Sequence, residues 1–211
     1  MSRPALGSLC ALIIAACASS PAPRLYVLTA PLGPTSTPTA ATATATATAG
    51  IRIQLLPVSI PDYLDNEEIL VRQGEHELRA SSTGQWGERL SEGVTHALGA
   101  SLKARLPGYV IDTGRTIDLG AQQITVIVDT LDCWSDGRCS LGAHWHLREP
   151  GGEPGQAEGR ATFVTKVSPS GDAADAAVIS GLAAAVAQLA DRLASYVLDS
   201  ARPLPPQPRR L

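Results

Sequence analysis

Apolar positions recur with two periods along the chain: every second residue in several short runs, and every third or fourth in two longer ones. Ile51, Ile53 and Leu55 alternate with Arg52 and Gln54, the pattern of a half-buried strand that ends near Pro57. A loop through Pro61-Asp62-Tyr63-Leu64-Asp65 then leads to a hairpin, with arms over Ile69–Arg72 and His76–Arg79 around Gln73-Gly74-Glu75. Trp86, Leu90, Val94, Leu98 and Leu102 form one apolar stripe of a helix. Ser81, Ser82 or Thr83 can cap that helix, and Leu106-Pro107-Gly108 stops it. Tyr109–Asp112 reads as a short strand and Gln122–Asp132 as a longer one rich in Ile and Val. Cys139, Leu141, Ala143, Trp145 and Leu147 alternate with Ser140, Gly142, His144, His146 and Arg148, a strand with one face buried. After a Gly/Pro-rich turn over 149–156, Ala161–Val167 reads as another strand. Val178, Leu182, Val186, Leu189, Leu193 and Val197 predict a second helix, started by Asp172 or Asp175, whose Ala-rich face suits close packing on a sheet. Two helices and about five or six strands, mostly antiparallel by their linkage, predict a single α+β domain over 51–200.

The ends of the chain carry different signals. Arg3 supplies a short positive region, and Leu9–Ala16 is an apolar run too short to remain as a membrane-spanning helix. Residues 1–16 therefore read as a signal peptide. Ile14-Ala15-Ala16-Cys17 resembles the bacterial lipobox, in which the Cys thiol accepts a diacylglyceryl group; Cys10 fails the same test because Leu9 precedes it. An ordinary signal peptide cut near Ala16, leaving a free Cys17, is the alternative. Ala18 lacks the Asp that in many lipoproteins favours inner-membrane retention, so the periplasmic face of the outer membrane is the expected location and inner-membrane anchoring the alternative. Residues 17–50 are expected to be a flexible segment. It comprises an Ala/Ser/Pro tether, a β-prone patch at Tyr26-Val27-Leu28 that is a candidate first strand, and an Ala-Thr alternation over Ala41–Ala49 with no large apolar side chain to bury. Residues 201–211 form a Pro-rich tail, expected to be disordered.

Two cysteines remain once Cys10 and Cys17 are set aside. A three-residue loop Ser135-Asp136-Gly137, with Gly137 in the left-handed position, places Cys133 opposite Cys139 in a hairpin. Directly opposed strand residues are close enough for a disulfide, which suits an oxidising compartment; two unpaired thiols are the alternative. The same register puts Leu131 across from Leu141 and Ile127 across from Trp145. It also sets Asp129 on the core face opposite Ala143, an awkward guest unless a bulge intervenes.

Composition narrows the chemistry. A net charge of −3 does not suggest nucleic acid or an anionic surface as partner, and 44% apolar residues with only 4% aromatics describe a modest core. His144 and His146 share a strand face but have no visible Cys, Asp or Glu cluster aimed at them, so exposed strand histidines are the expectation and no metal is implied. Asp62, Asp65, Glu67 and Glu68 read as a solvated acidic loop, with no phosphate loop or nucleophile elbow elsewhere. No catalytic residues and no cofactor are expected. Tyr63 and Leu64 are large apolar groups in a loop: either they face a partner or they fold back onto the core. Trp86 is expected in the core.

Ile51-x-Ile53-x-x-x-Pro57-Val58-x-Ile60-Pro61-Asp62-Tyr63-Leu64, continued by Ile69-Leu70-Val71-Arg72, Trp86-Gly87-Glu88-x-Leu90 and Leu106-Pro107-Gly108-Tyr109-Val110, resembles the ABC-type transport auxiliary lipoproteins of the paraquat-inducible protein C group. The lipobox, the Tyr26–Leu28 patch and the final helix fit the same family. The Ala-Thr insert is unusually long for it, and the Cys133/Cys139 pair does not come from it. The resemblance implies a non-enzymatic outer-membrane lipoprotein that docks an envelope lipid transport system. Its partners would be a mammalian-cell-entry (MCE) domain protein, the associated inner-membrane transport components, and further copies of itself in a ring. Pro61, Asp62, Tyr63 and Leu64 are the candidate partner interface. A periplasmic small-ligand or lipid-binding lipoprotein is the other reading.

Overall fold

The computed structural model describes residues 22–30, 50–152, 157–171 and 174–200. The expected signal peptide, Cys17, the Ala-Thr run and the Pro-rich tail lie outside the described residues. In chain order the elements are β1 (Arg24–Tyr26), β2 (Ile51–Leu55), a 3-10 turn (Asp62–Leu64), β3 (Glu68–Arg72), β4 (Leu78–Trp86), α1 (Leu90–Arg105), β5 (Tyr109–Asp112), β6 (Gln122–Cys133), β7 (Arg138–Arg148), β8 (Ala157–Lys166) and α2 (Ala174–Ser200). The predicted α+β arrangement with two helices is present. Its strands form two mixed sheets, one of three strands ordered β1-β4-β3 and one of five ordered β5-β2-β6-β7-β8. The antiparallel meander β6-β7-β8 carries the longest ladders, while β2 pairs in parallel with both β5 and β6.

That central place of β2 corrects one expectation from alternation. Ile53 and Leu55 are buried as expected, but Ile51 is partly exposed and Gln54 is fully buried. The loop after β5 covers the second face of the strand. The Gln54 amide donates to the carbonyls of Gly114 (3.1 Å) and Thr116 (2.6 Å) and accepts from the Asp118 amide (2.9 Å). A buried polar side chain must be satisfied in this way, and here it pins the loop.

The first helix begins at Leu90, not near the Ser/Thr cluster. Ser81, Ser82 and Thr83 lie within β4, at the irregularity between its pairing with β3 and with β1. The Ser81 hydroxyl accepts from the Thr83 and Gly84 amides and the Thr83 hydroxyl donates to Asp175, so these groups are used inside the sheet and not as a helix cap. Trp86 ends that strand. It keeps the four-residue spacing to Leu90 and is 4% exposed, so it joins the core from a strand instead of a helix. In place of a local cap, Asp65 from the loop before β3 accepts a hydrogen bond from the Ser91 amide at 3.0 Å and pairs with Arg89 at 3.3 Å.

The β6–β7 hairpin has the expected register at its tip, with Cys133 opposite Cys139 and Leu131 opposite Leu141. The register shifts between Val128 and Thr130. Asp129 is the extra residue and turns outward, so Val128 opposes Ala143 and Val126 opposes Trp145, keeping apolar residues on the core face. Strand β8 starts four residues before the predicted Ala161.

Both helices and both sheets share one core. The stripe Val178, Leu182, Val186, Leu189, Leu193, Val197 is buried, with small residues Gly181, Ala185 and Ala190 allowing close approach. Helix α2 has the length and composition to cross a membrane, yet this stripe packs on β7, β8 and α1, which makes it the core helix of the domain.

Candidate functional site

The Pro61–Leu64 segment follows directly from β2. Beyond Leu55 the chain stays against β6 through Ser59, whose amide donates to the Val126 carbonyl and whose carbonyl accepts from Val128. Thr95 of α1 clamps the same stretch, accepting from the Val58 amide at 2.9 Å and donating to the Ser91 carbonyl at 2.7 Å. Pro61 has no amide to give, and the chain turns: the Leu64 and Asp65 amides bond back to Pro61 and Asp62. Asn66 closes the turn from the other side, donating to the Tyr63 carbonyl and accepting from the Glu68 amide. The two apolar residues of the turn part company. Leu64 is 4% exposed and folds onto the core, whereas Tyr63 is 44% exposed. Asp62 is exposed, while Asp65 is spent on capping α1.

Tyr63 stands beside a charged pair. The Arg72 guanidinium binds Asp132 Oδ1 at 2.8 Å and the Glu75 carbonyl at 3.0 Å, and the Asp132 side chain is 8% exposed. Arg72 also reaches the Tyr63 side chain; burial and the Asp132 charge push the Tyr63 phenol above its ordinary value despite that contact. The Asp132 hydrogen bond raises the Arg72 guanidinium further, so it carries its charge throughout the physiological range.

The hairpin tip completes the cluster. Arg72 forms a bridge with Trp134, and the Ser135 amide donates to the Arg72 carbonyl at 3.1 Å. The Arg138 guanidinium lies 4.0 Å from the centre of the Trp134 ring. Gly137 takes the left-handed conformation expected of it, with φ of 84°. Cys133 and Cys139 are joined by a disulfide with a Cα separation of 4.0 Å. Both sulfurs are buried against the Val178 carbonyl of α2, and Gly181 leaves the room, since a Cβ there would lie 2.7 Å from the Cys139 sulfur.

Tyr63 thus meets Arg72, Arg138 meets Trp134, and the backbone bridge between Arg72 and Trp134 sets the two pairs side by side on a braced backbone, a junction taken as the candidate surface. Sequence reading singled out Tyr63 but missed Arg72, Trp134 and Arg138. Trp134, a large aromatic inside a predicted two-cysteine turn, was the available signal. Trp86, Leu64 and the acidic residues Asp65 and Glu68 do not join this surface.

The histidines sit elsewhere, on the outer face of the five-stranded sheet. His144 Nδ1 lies 3.1 Å from Asp129, and His146 Nδ1 lies 3.7 Å from Glu158, with Arg160 at 4.0 Å from Asp129. The bulge supplies Asp129, so carboxylates do face the pair, contrary to the reading from sequence. Among the described residues no group of three or more His, Cys, Asp or Glu side chains is arranged to hold a metal ion. A cleft of about 470 Å³ lies between Ser81–Thr83 of β4, Trp134, and Asp175 and Val178 of α2. Its floor is polar on one side, where Thr83 donates to Asp175 at 2.6 Å.

Comparison with known proteins places these features in context. The fold is similar to that of the crystal structure of an uncharacterized protein, at 17% identity and a TM-score of 0.65, covering 83% of this chain and 98% of the other. It is also similar to a Xanthomonas campestris protein of the DUF330 family, at 16% identity and a TM-score of 0.58, covering 71% and 84%. At these identities the likeness is one of fold. No curated protein matches the chain. The family model described as the ABC-type transport auxiliary lipoprotein component matches residues 32–194. The chain belongs to the ABC-type transport auxiliary lipoprotein family.

Proposed function

We propose that the chain is a non-catalytic docking component of an MCE-type envelope lipid transport system, held by lipid on Cys17 at the periplasmic face of the outer membrane. In this reading residues 1–16 are the signal peptide, residues 51–200 with β1 and Leu28 packed onto them are the periplasmic body, and copies assemble in a ring around the partner. Family membership supports the transport role. The observation that carries the docking role is the Tyr63–Arg72–Trp134–Arg138 surface. Tyr, Trp and Arg are the residue types that most often dominate binding energy, because they bring large contact area at small entropic cost. Here they stand on a backbone fixed by the 3-10 turn, the Arg72–Asp132 pair and the disulfide, so little ordering remains to be done on binding.

A photoreactive amino acid at Tyr63, and separately at Trp134, tests this in intact cells with mass spectrometry as the readout. Capture of an MCE-domain protein at either position is the expected result. Recovery of no envelope transport component from these or any other surface position would overturn the docking role. The small-ligand reading rests on the cleft beside Trp134. A lipid that copurifies with the domain and is lost when Thr83 and Val178 are enlarged would favour it instead.

A further inference from the structure

Strand β1 carries apolar side chains on both of its faces. Tyr26 packs toward the core opposite Trp86, and Leu28 beyond it is buried. Leu25 and Val27 point the other way and are 70% and 53% exposed; Leu25 is the most exposed large apolar side chain among the described residues. The strand lies at the edge of its sheet. Next to it, the Gly87 amide donates to the Tyr26 carbonyl at 2.7 Å, and a Cβ on Gly87 would meet Val27 and Leu25, so the bare glycine leaves both uncovered. On the outer face Leu25 is followed by Gln85 and Glu68 across the sheet, so the apolar character is confined to this edge. An edge strand facing only water ordinarily presents polar groups there.

The distance along the chain says what covers it. Leu25 lies eight positions after Cys17, and eight steps of chain span at most about 28 Å when fully extended. The structure and this reach together assign the outer edge of β1: we infer that Leu25 and Val27 rest in the headgroup region of the same leaflet that holds the acyl chains on Cys17. The inference depends on the lipid anchor proposed above. Two aliphatic side chains are too little to hold a protein on a bilayer alone. A covalently tethered surface meets the bilayer at high effective concentration, and then a weak contact suffices. The contact fixes which way the body faces. A tether alone leaves it free to tumble, whereas seating β1 orients both sheets relative to the membrane.

The test uses the acylated protein in vesicles of phosphatidylethanolamine with a minority of phosphatidylglycerol. Leu25→Cys carries an environment-sensitive NBD label; the acyl-blocked Cys17 and the bonded Cys133 and Cys139 do not compete for it. Val164→Cys, on the exposed face of β8, serves as the control site. The expected result is a blue-shifted, several-fold brighter signal at position 25 and an aqueous signal at position 164. Val27→Cys provides a second reporter if the first label disturbs the fold by circular dichroism. An aqueous spectrum at both β1 positions in a sample whose acyl mass is verified overturns this inference and leaves the anchor intact. A sample without acyl mass overturns the anchor and this inference with it. The same blue shift in a Cys17→Ser variant without vesicles would assign the edge to a second copy of the chain and overturn the membrane contact.

Discussion

Arg72 and Asp132 are an acid and a base drawn largely out of water, one on each sheet, and their pairing is what lets the hairpin tip sit against β3. Removing one partner of such a pair is far costlier than removing both, because the survivor keeps its desolvation penalty without its counter-charge. Arg72→Met is therefore expected to destabilise the domain by about 3 kcal/mol in urea unfolding. Adding Asp132→Leu should recover much of that loss; a single variant indistinguishable from the parent would mean that the pair is not structural. Gln54 shows the same rule in neutral form. Three hydrogen bonds to one loop justify an amide where alternation alone would put solvent.

Among the elements, the β6–β7 hairpin has the most to hold it. Its ladder runs from Gln123 opposite Arg148 to the disulfide, interrupted by the bulge at Asp129. Closing so short a loop restricts the unfolded chain by an amount worth about 2.4 kcal/mol in the chain-entropy account. The Cys133→Ser/Cys139→Ser double variant should lose about 2 kcal/mol of stability by denaturant titration yet keep its sheet signal in circular dichroism, since the ladder and the Val178 packing persist. Loss of the folded state would show instead that the bond is needed to form the tip. Helix α1 illustrates a different dependence: its start is set by Asp65, remote in sequence and supplied by the same turn that presents Tyr63.

For the whole molecule, one core joins both sheets and both helices. Trp86 belongs to the three-stranded sheet and Trp145 to the five-stranded one, and each is almost fully buried. If the core is shared, unfolding should be a single cooperative event. Near-ultraviolet and far-ultraviolet circular dichroism are expected to give coincident thermal transitions for the whole domain, β1 included. A separated transition for one sheet would mean that the two halves fold as independent units. A body that unfolds as one unit is also what a docking role asks for, since its surface is then carried rigidly.

Read alone, the sequence determined most of the local structure. The alternation over Cys139–Leu147 buries the residues it nominated, the stripe of α2 is intact, and Gly137 allows the turn that pairs Cys133 with Cys139. These features depend on the period of the backbone and on the φ preference of one residue, both local properties. Parallel pairing around β2, the burial of Gln54, the outward turn of Asp129, and the strand character of Ser81–Thr83 were decided only in three dimensions. Each depends on which segment arrives alongside from far away in the chain, and nothing in a residue's own neighbourhood encodes that. The same holds for the candidate site. Tyr63 was conspicuous as an aromatic in a loop, but Arg72 comes from β3 and Trp134 and Arg138 from the hairpin tip, and they gain their meaning only from the contact between those two segments.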